Sequence, residues 1–398
     1  VSRLRSLLTA VIGIVGAAPA AAQQPVTRAD VVAAALSRGA RALIGLADTA
    51  AASADVRAAR LYPNPSLAGG YSKDPPHYHV LADVPLDLPW LRSARIGSAR
   101  SSEEAARLGF AFERAAIRFE ADTTYTGALA AAARARLSRR NAHDADSLVV
   151  MARLRREVGD VSELDVRLAE VNAGQLENVA TDDSLAAVDG VLAVQLVMGL
   201  PAEQATIVLT DTLAPPPDSV PPGTGEMLPV AAATAGLEAA SRSLTFARRN
   251  VFAAPSLQLG FDQNDPAGQR GPLPVIGVTL ALPFFNQNGG EIAQAAAARL
   301  RARAELDLVR RETGAGRARA RRSLEAALNR LARDRQLLEA ADRVAAMSLQ
   351  AYAEGAVPLA NVLEAQRAAR EALGRYVEDT AMANDAAAAV RLLETTEE

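Results

Sequence analysis

The sequence predicts a mixed, mainly α fold: a duplicated unit of long helical hairpins plus two β-hairpins, whose strands close into a transmembrane barrel only when several chains combine. Three observations predict it. The same landmarks recur in order in both halves, four short runs alternate apolar with polar residues, and two stretches of more than 60 residues contain no proline. The 398 residues are 49% hydrophobic but only 4% aromatic, and the apolar content rests on alanine, which suits long helices packed closely side by side. A formal charge of −3 provides no basic field to recruit nucleic acid.

Arg3 and Arg5 precede an apolar run from Leu7 to Ala18 that ends in Ala20-Ala21-Ala22-Gln23, the three parts of an export signal. Residues 1–22 are therefore expected to be a signal peptide cleaved after Ala22, the run being shorter than the ~20 residues of a spanning helix. The absence of cysteine excludes disulfides, thiolate metal sites and a lipid-modified amino-terminal Cys, so no lipid anchor is expected. No later run reaches ~18 continuous apolar residues, which leaves a β-barrel as the route into a membrane.

The first repeat is placed at 23–210 and the second at 226–398, with a proline-rich linker at 211–225. Pro65-Ser66-Leu67-Ala68-Gly69-Gly70-Tyr71 parallels Pro255-Ser256-Leu257-Gln258-Leu259-Gly260-Phe261, and Val84 to Trp90 parallels Val278 to Phe284. Strand pairs are predicted at 66–73 with 79–88 and at 256–262 with 274–283, each run close to the ~9 to 11 residues that cross a bilayer when tilted. Leu67, Tyr71, Val80, Ala82 and Val84 fall on one face, as do Leu257, Leu259, Phe261, Ile276 and Val278. The opposite, polar positions Asp83, Asp87, Gln258 and Asp262 are expected to line a water-filled barrel lumen. Trp90, Phe284 and Phe285 follow the second strand of each pair, where an interfacial aromatic belt would sit.

Proline-free stretches from Ser93 to Glu157 and from Glu291 to Glu354 predict helices of ~60 residues, or ~90 to 100 Å. Helical hairpin turns are placed near 159 and 355, where Gly159-Asp160-Val161-Ser162 parallels Gly355-Ala356-Val357-Pro358. Beyond the first turn, Leu164, Leu168, Val171, Asp182, Leu185, Asp189, Leu192 and Leu196 keep a three-four spacing that predicts a seam apolar toward neighbouring helices and wet toward a lumen. Leu359, Leu363, Gln366, Leu373 and Tyr376 form a looser counterpart.

Four strands cannot close a barrel, and open edges are not tolerated in hydrocarbon, so at least two chains must share one. The duplicated order, Asn64-Pro65-Ser66-Leu67 and the two turn motifs together resemble the TolC family of outer-membrane efflux proteins, including its metal-efflux channels, over nearly all of the chain. That resemblance implies a homotrimer with a twelve-stranded barrel in outer-membrane lipid, continued by a periplasmic α-helical barrel. It also implies that Gly159, Asp160, Val161, Gly355, Ala356 and Val357 form tips that dock onto a periplasmic adaptor (a membrane fusion protein), and through it an inner-membrane pump such as an RND transporter. A periplasmic constriction would fall at Asn361 and Glu364, with Asp165 opposite; an amide at Asn361 departs from the acidic ring of the family.

His77 and His79 lie in the first strand loop and His143 on a helix; two imidazoles rarely make a metal site. Arg317, Arg319, Arg321 and Arg322 are expected to be a solvated helix face. No Gly-rich phosphate loop, nucleophile elbow or HExxH motif is present, so no enzyme, cofactor or resident metal is expected. The functional expectation is a passive exit duct. Alternatives are the outer-membrane component of a type I protein secretion system, or a secreted coiled-coil scaffold.

Overall fold

The computed structural model describes residues 24–396 other than 75, 218, 222, 252–253, 265–267 and 269–270. The expected export segment 1–22 lies outside them. In chain order the elements are β1 (Gln24–Val26), α1 (Arg28–Arg38), α2 (Ala40–Arg60), β2 (Ser66–Tyr71), β3 (Tyr78–Pro85), α3 (Pro89–Glu157), α4 (Glu163–Val197), β4 (Ile207–Leu209), α5 (Leu228–Arg249), β5 (Ser256–Gln263), β6 (Pro272–Thr279), α6 (Gly289–Ala353) and α7 (Leu359–Glu394).

With no internal proline, α3 runs unbroken for 69 residues, about 100 Å at 1.5 Å per residue. Pro89 occupies its first turn, where the missing N–H costs nothing. Three of the strands, β2, β3 and β6, are shorter than expected, and β5 is one residue longer, all at 6 to 8 residues. The physical reason is proline: Pro85 ends β3 and Pro255 precedes β5, so Leu86 and Leu88 on one side and Leu280 and Leu282 on the other fall beyond the ladders.

Below the waist of the molecule the long helices lie side by side in the order α4, α3, α7, α6; above it the order is α2, α3, α5, α6. The wall is one helix thick. It is held by small residues: a Cβ built on Gly190 would sit 3.0 Å from the Ala128 Cα, so α3 and α4 touch almost backbone to backbone. Ala169, Ala173 and Ala180 continue that buried stripe with Val166 and Val194. The predicted leucine seam on α4 is therefore on the other side. Leu164, Leu168, Val171, Leu185 and Leu196 are exposed, because α4 is the last helix of the row and has only α3 to pack on along its length. In α7, which lies between α3 and α6, the matching positions Leu359 and Leu363 do pack inward.

At the waist, Val26, Val31, Ile117, Tyr125, Val194 and Ile207 form one core, and the parallel β1–β4 pair ties the start of the described chain to its middle. The described residues of the proline-rich segment 211–225 form no regular element, yet Asp211, Ala214 and Gly223 are each hydrogen-bonded to the helices. Tyr125 Oη donates to Asp211 at 2.9 Å, Asn384 Nδ2 to the Ala214 carbonyl at 2.8 Å, and the Gly223 N–H to Glu394 at 3.0 Å.

Glu394 is the polar node of the second half. Its side chain is 3% exposed and accepts from Arg317 Nε at 2.6 Å and Arg321 Nε at 2.8 Å. Arg317 and Arg321 keep partly solvated side chains, as expected of that helix face, and in addition pair with a carboxylate 77 and 73 residues further along. The hydrogen bonds from Arg317, with help from Gly223 and Arg321, hold the Glu394 carboxyl down at about 2. A depressed carboxylate stabilises the fold above its unfolded value and loses that contribution as pH falls toward the folded one. Glu394→Gln is expected to cost on the order of 1–3 kcal/mol at neutral pH, the arginines being partly solvated, with the gap to wild type closing between about pH 4.5 and 2. Thermal unfolding of both proteins across that range checks it, and parallel curves would refute the assignment.

Candidate functional site

Two regions carry candidate function: the four-stranded sheet at one end of the helices and the paired hairpin turns at the other. The sheet has the order β2-β3-β5-β6 with every neighbour antiparallel, so strands from both halves meet at β3 and β5. Its register places most of the bulky apolar side chains on one face and all of the charged ones on the other, with Leu81, Leu273 and Val275 interleaved among the latter. Leu67, Ala82, Leu259 and Ile276 stand in one cross-strand row, and Ser66, Asp83, Gln258 and Gly277 in the next. Successive residues face opposite ways. One face therefore carries Leu67, Tyr71, Val80, Phe261, Ile276 and Val278, while the other carries Asp83, His79, Gln258 and Asp262.

The apolar face is bare in the single chain: Leu67 and Ile276 are 76% exposed and Val278 is 71% exposed. An apolar sheet face of this extent is not one that water covers cheaply. On the polar face, Ser256 Oγ donates to Asp83 at 2.6 Å, and His79 Nδ1 lies 3.1 Å from Asp262. His77 instead turns to the Ser72 carbonyl at 3.4 Å. No group of three or more His, Asp or Glu among the described residues is placed to hold a metal. The outer edges of β2 and β6 have no ladder partner among the described residues, so both present rows of unpaired N–H and C=O groups.

Asp87 departs from the expected lumen set. It lies two residues beyond the end of β3, and its side chain, 1% exposed, sits between Arg95 at 2.8 Å and Arg92 at 3.2 Å on the first turns of α3. Its charge joins strand to helix. Trp90 is in the first turn of α3, whereas Phe284 and Phe285 lie in the irregular stretch between β6 and α6, and all three are exposed. Arg249 donates to the Trp90 carbonyl at 3.2 Å, which ties α5 to this girdle.

At the far end both hairpins turn the same way. Gly159 has φ +82° and Gly355 +75°, a region that costs a side-chain-bearing residue about 1 kcal/mol or more. Gly159 N–H donates to the Arg156 carbonyl and Asp160 N–H to that of Arg155, both at 2.9 Å; Gly355 and Ala356 repeat the pair on Tyr352 and Ala351. Each is a Schellman cap, which satisfies the last carbonyls of the long helix. Ser162 and Asp165 then cap α4 reciprocally, Asp165 accepting from Ser162 Oγ at 2.8 Å. Asp165 is thus engaged in a helix start. Asn361 and Glu364 are exposed on the first turns of α7, with Arg367 the cation that feels Glu364.

A residue that sequence reading missed locks the two turns together. Arg155 donates to the Tyr352 carbonyl at 2.7 Å, stacks over the Tyr352 ring at 4.6 Å and reaches Asp160 at 3.5 Å. Tyr352 is buried, its hydroxyl has no hydrogen-bond partner, and desolvation raises its pKa. Val166, Leu359 and Val362 close the cluster beneath it, with Val357 half-buried beside them. Only the spacing of Arg155 from Gly159, repeated by Ala351 before Gly355, hinted that this position bears on the turn.

A scan against protein-family models finds no match, and no curated protein matches the sequence. Solved structures do match, along nearly the whole chain. A membrane protein from Pseudomonas aeruginosa is 19% identical with a TM-score of 0.78, over 92% of this chain and 93% of its own. The outer membrane protein VceC from Vibrio cholerae is 17% identical with a TM-score of 0.75, over 93% and 97%. The CmeC outer membrane channel of Campylobacter jejuni is 14% identical with a TM-score of 0.75, over 92% and 85%. The chain thus has the TolC-like channel fold that its duplicated landmarks resembled.

Removing the Arg155 side chain deprives the paired turns of their shared cation. Arg155→Ala is expected to raise amide exchange about tenfold over residues 351–362, consistent with losing on the order of 1–2 kcal/mol of hydrogen bonding and cation–π contact. Hydrogen exchange read by mass spectrometry checks this; unchanged protection there, with protection at the waist also unchanged, would show the turns to be independent.

Proposed function

We propose that this chain is one subunit of an outer-membrane efflux channel, a passive exit duct with no catalytic site. The observation that carries the reading is the sheet: four antiparallel strands, one face predominantly apolar, the other bearing the charged and polar residues, both edges open among the described residues, standing on helices about 100 Å long. Such a sheet is stable in hydrocarbon only if its edges are paired by further copies, with the apolar face toward lipid and the polar face toward water. Three copies supply twelve strands, the count the TolC-like fold implies, and the long helices then form a tube in the periplasm. No helix among the described residues is long and apolar enough to cross a membrane, so the sheet is the element that would span it.

Asp83, Gln258, His79 and Asp262 then line the lumen. Trp90, Phe284 and Phe285, at the junction with the helices, sit at the lipid boundary. The duplicated unit, with its linker and a cleaved export signal at 1–22, belongs to the same reading. The tips around Gly159 and Gly355 are the docking ends for a periplasmic adaptor, which couples the duct to an energy-consuming inner-membrane pump. Asn361 and Glu364 stand where a constriction would select cargo, and Glu364 is its remaining fixed acid.

Expression of the chain with its leader, isolation of outer membranes and planar-bilayer recording test the reading. A detergent-stable oligomer with discrete conductance is expected; a soluble periplasmic monomer that never conducts would sink it. Ile276→Arg, midway along β6 on the apolar face, is expected to lower the membrane-integrated fraction severalfold, as a cation facing lipid near the midplane costs roughly 2–4 kcal/mol. Gln258→Arg, one row away on the polar face, is expected to integrate normally and alter ion selectivity.

A further inference from the structure

The upper helices arrive at the sheet with charges that the chain leaves unanswered. α2 ends in Arg57 and Arg60, and α5, which likewise runs into a strand pair, ends in Arg248 and Arg249; all four are exposed. Last-turn arginines of α3 and α7 find an acid: Arg156 pairs with Glu163 at 3.1 Å and Arg391 with Asp122 at 3.2 Å. By contrast, the side chains of Arg57, Arg60 and Arg248 make no hydrogen bond or ion pair among the described residues, and Arg249 reaches only the Trp90 carbonyl. Acids close by are committed or absent. Asp87 is enclosed by Arg92 and Arg95, α5 has no acid after Glu238, which pairs with Arg242 at 2.6 Å, and α2 has none after Asp55.

These charges share one level with the exposed aromatics. Arg92 on the first turn of α3 donates to the Arg60 carbonyl at 2.7 Å, Arg249 holds Trp90, and Asn288, the N-cap of α6, donates to the Ala247 carbonyl at 3.1 Å. Four helices thus meet in one layer. Within it bare apolar surface lies beside bare charge: Leu61 and Tyr62 directly follow Arg60 and are 69% and 66% exposed, and Trp90, Phe284 and Phe285 are exposed as well. Neither bulk water nor hydrocarbon suits that mixture. A headgroup layer suits both halves, taking rings and leucines at the acyl boundary and guanidinium groups at the phosphates, whose oxygens match the planar fork. We infer that Arg57, Arg60, Arg248 and Arg249 form a collar that binds anionic phospholipid through its phosphodiester, in the leaflet from which the helices emerge. Charge selects the lipid. Four uncompensated cations per chain favour a headgroup of net negative charge over a zwitterionic one, whose own ammonium competes for the phosphate.

This inference rests on the membrane-spanning reading of the sheet, and the test separates the two. Trp90 is the only tryptophan of the chain, so its fluorescence reports on the collar directly. The wild-type oligomer is reconstituted in phosphatidylcholine vesicles in which a minor share is brominated phosphatidylglycerol or, in parallel, brominated phosphatidylcholine. Quenching of Trp90 is expected to show about fivefold stronger association of the anionic lipid at low salt, falling toward equality in molar salt and unmoved by inorganic phosphate at constant ionic strength. Gln at all four arginine positions is expected to abolish the preference, and Lys at the same positions to keep most of it. Arg57→Gln with Arg248→Gln, which leaves the contacts at Trp90 and Arg92 untouched, is expected to lower it about twofold and carries the same test if the fourfold variant does not assemble. Equal quenching of the wild type by both lipids, or a preference undiminished in the Gln variants, overturns the inference and leaves the duct intact. So does loss of the preference to inorganic phosphate, which would assign the collar to a free anion, and so does a conducting oligomer whose Trp90 neither lipid quenches. A chain that never integrates into the vesicles overturns both.

Discussion

Every N–H and C=O at the edge of a β-sheet must be given to something, and in hydrocarbon the only available partner is another strand. Here the sheet ends at β2 and β6 with no further strand beside either edge among the described residues, while its apolar face is open to solvent. Those two facts together ask more of the chain than folding alone supplies. On the proposed reading they explain the helices as well, since a ring closed by strands at one end imposes the same rotation on whatever the strands are attached to. The long helices then form a tube because their sheet has become a barrel.

Position in the helical row leaves its mark on residue choice. α3 and α7 are inner members of the row and bury alanines together with Tyr125, Leu129, Leu148, Leu359 and Val362, whereas α4 and α6 bury one face each and keep bulky or charged residues on the other. The close Gly190–Ala128 approach, the exposed leucines of α4 and the arginine row of α6 are one pattern. The turns reuse the same economy, with two glycine caps held to each other by the single guanidinium of Arg155.

Much of this was legible in the sequence because periodicity reports local geometry directly. Period-two alternation at 66–71 and 256–263 placed both hairpins and sorted their faces, and glycine at 159 and 355 marked the turns. What was not legible depended on neighbours distant in the chain. Seam spacing on α4 was read correctly as a stripe, but spacing alone cannot say whether the stripe meets the chain's own helices or a copy. Asp87 looked like one more polar strand position, since nothing local shows that Arg92 and Arg95 fold back over it. Glu394 was invisible for the same reason: its arginines are more than seventy residues upstream and read as an ordinary basic helix face.

That separation has a consequence for the order in which the molecule takes shape. Arg317 and Arg321 leave the ribosome, and on the proposed route cross the inner membrane, well before Glu394 does. Until α7 follows, the lower half of α6 has neither its packing partner nor its counter-ion, and the strap at 211–225 lacks the carboxylate that receives Gly223. The first half can settle early around Tyr125, but the second stays loose until nearly all the described chain has been delivered. On the proposed reading, an incomplete chain would therefore offer no rigid α6 surface to a second copy.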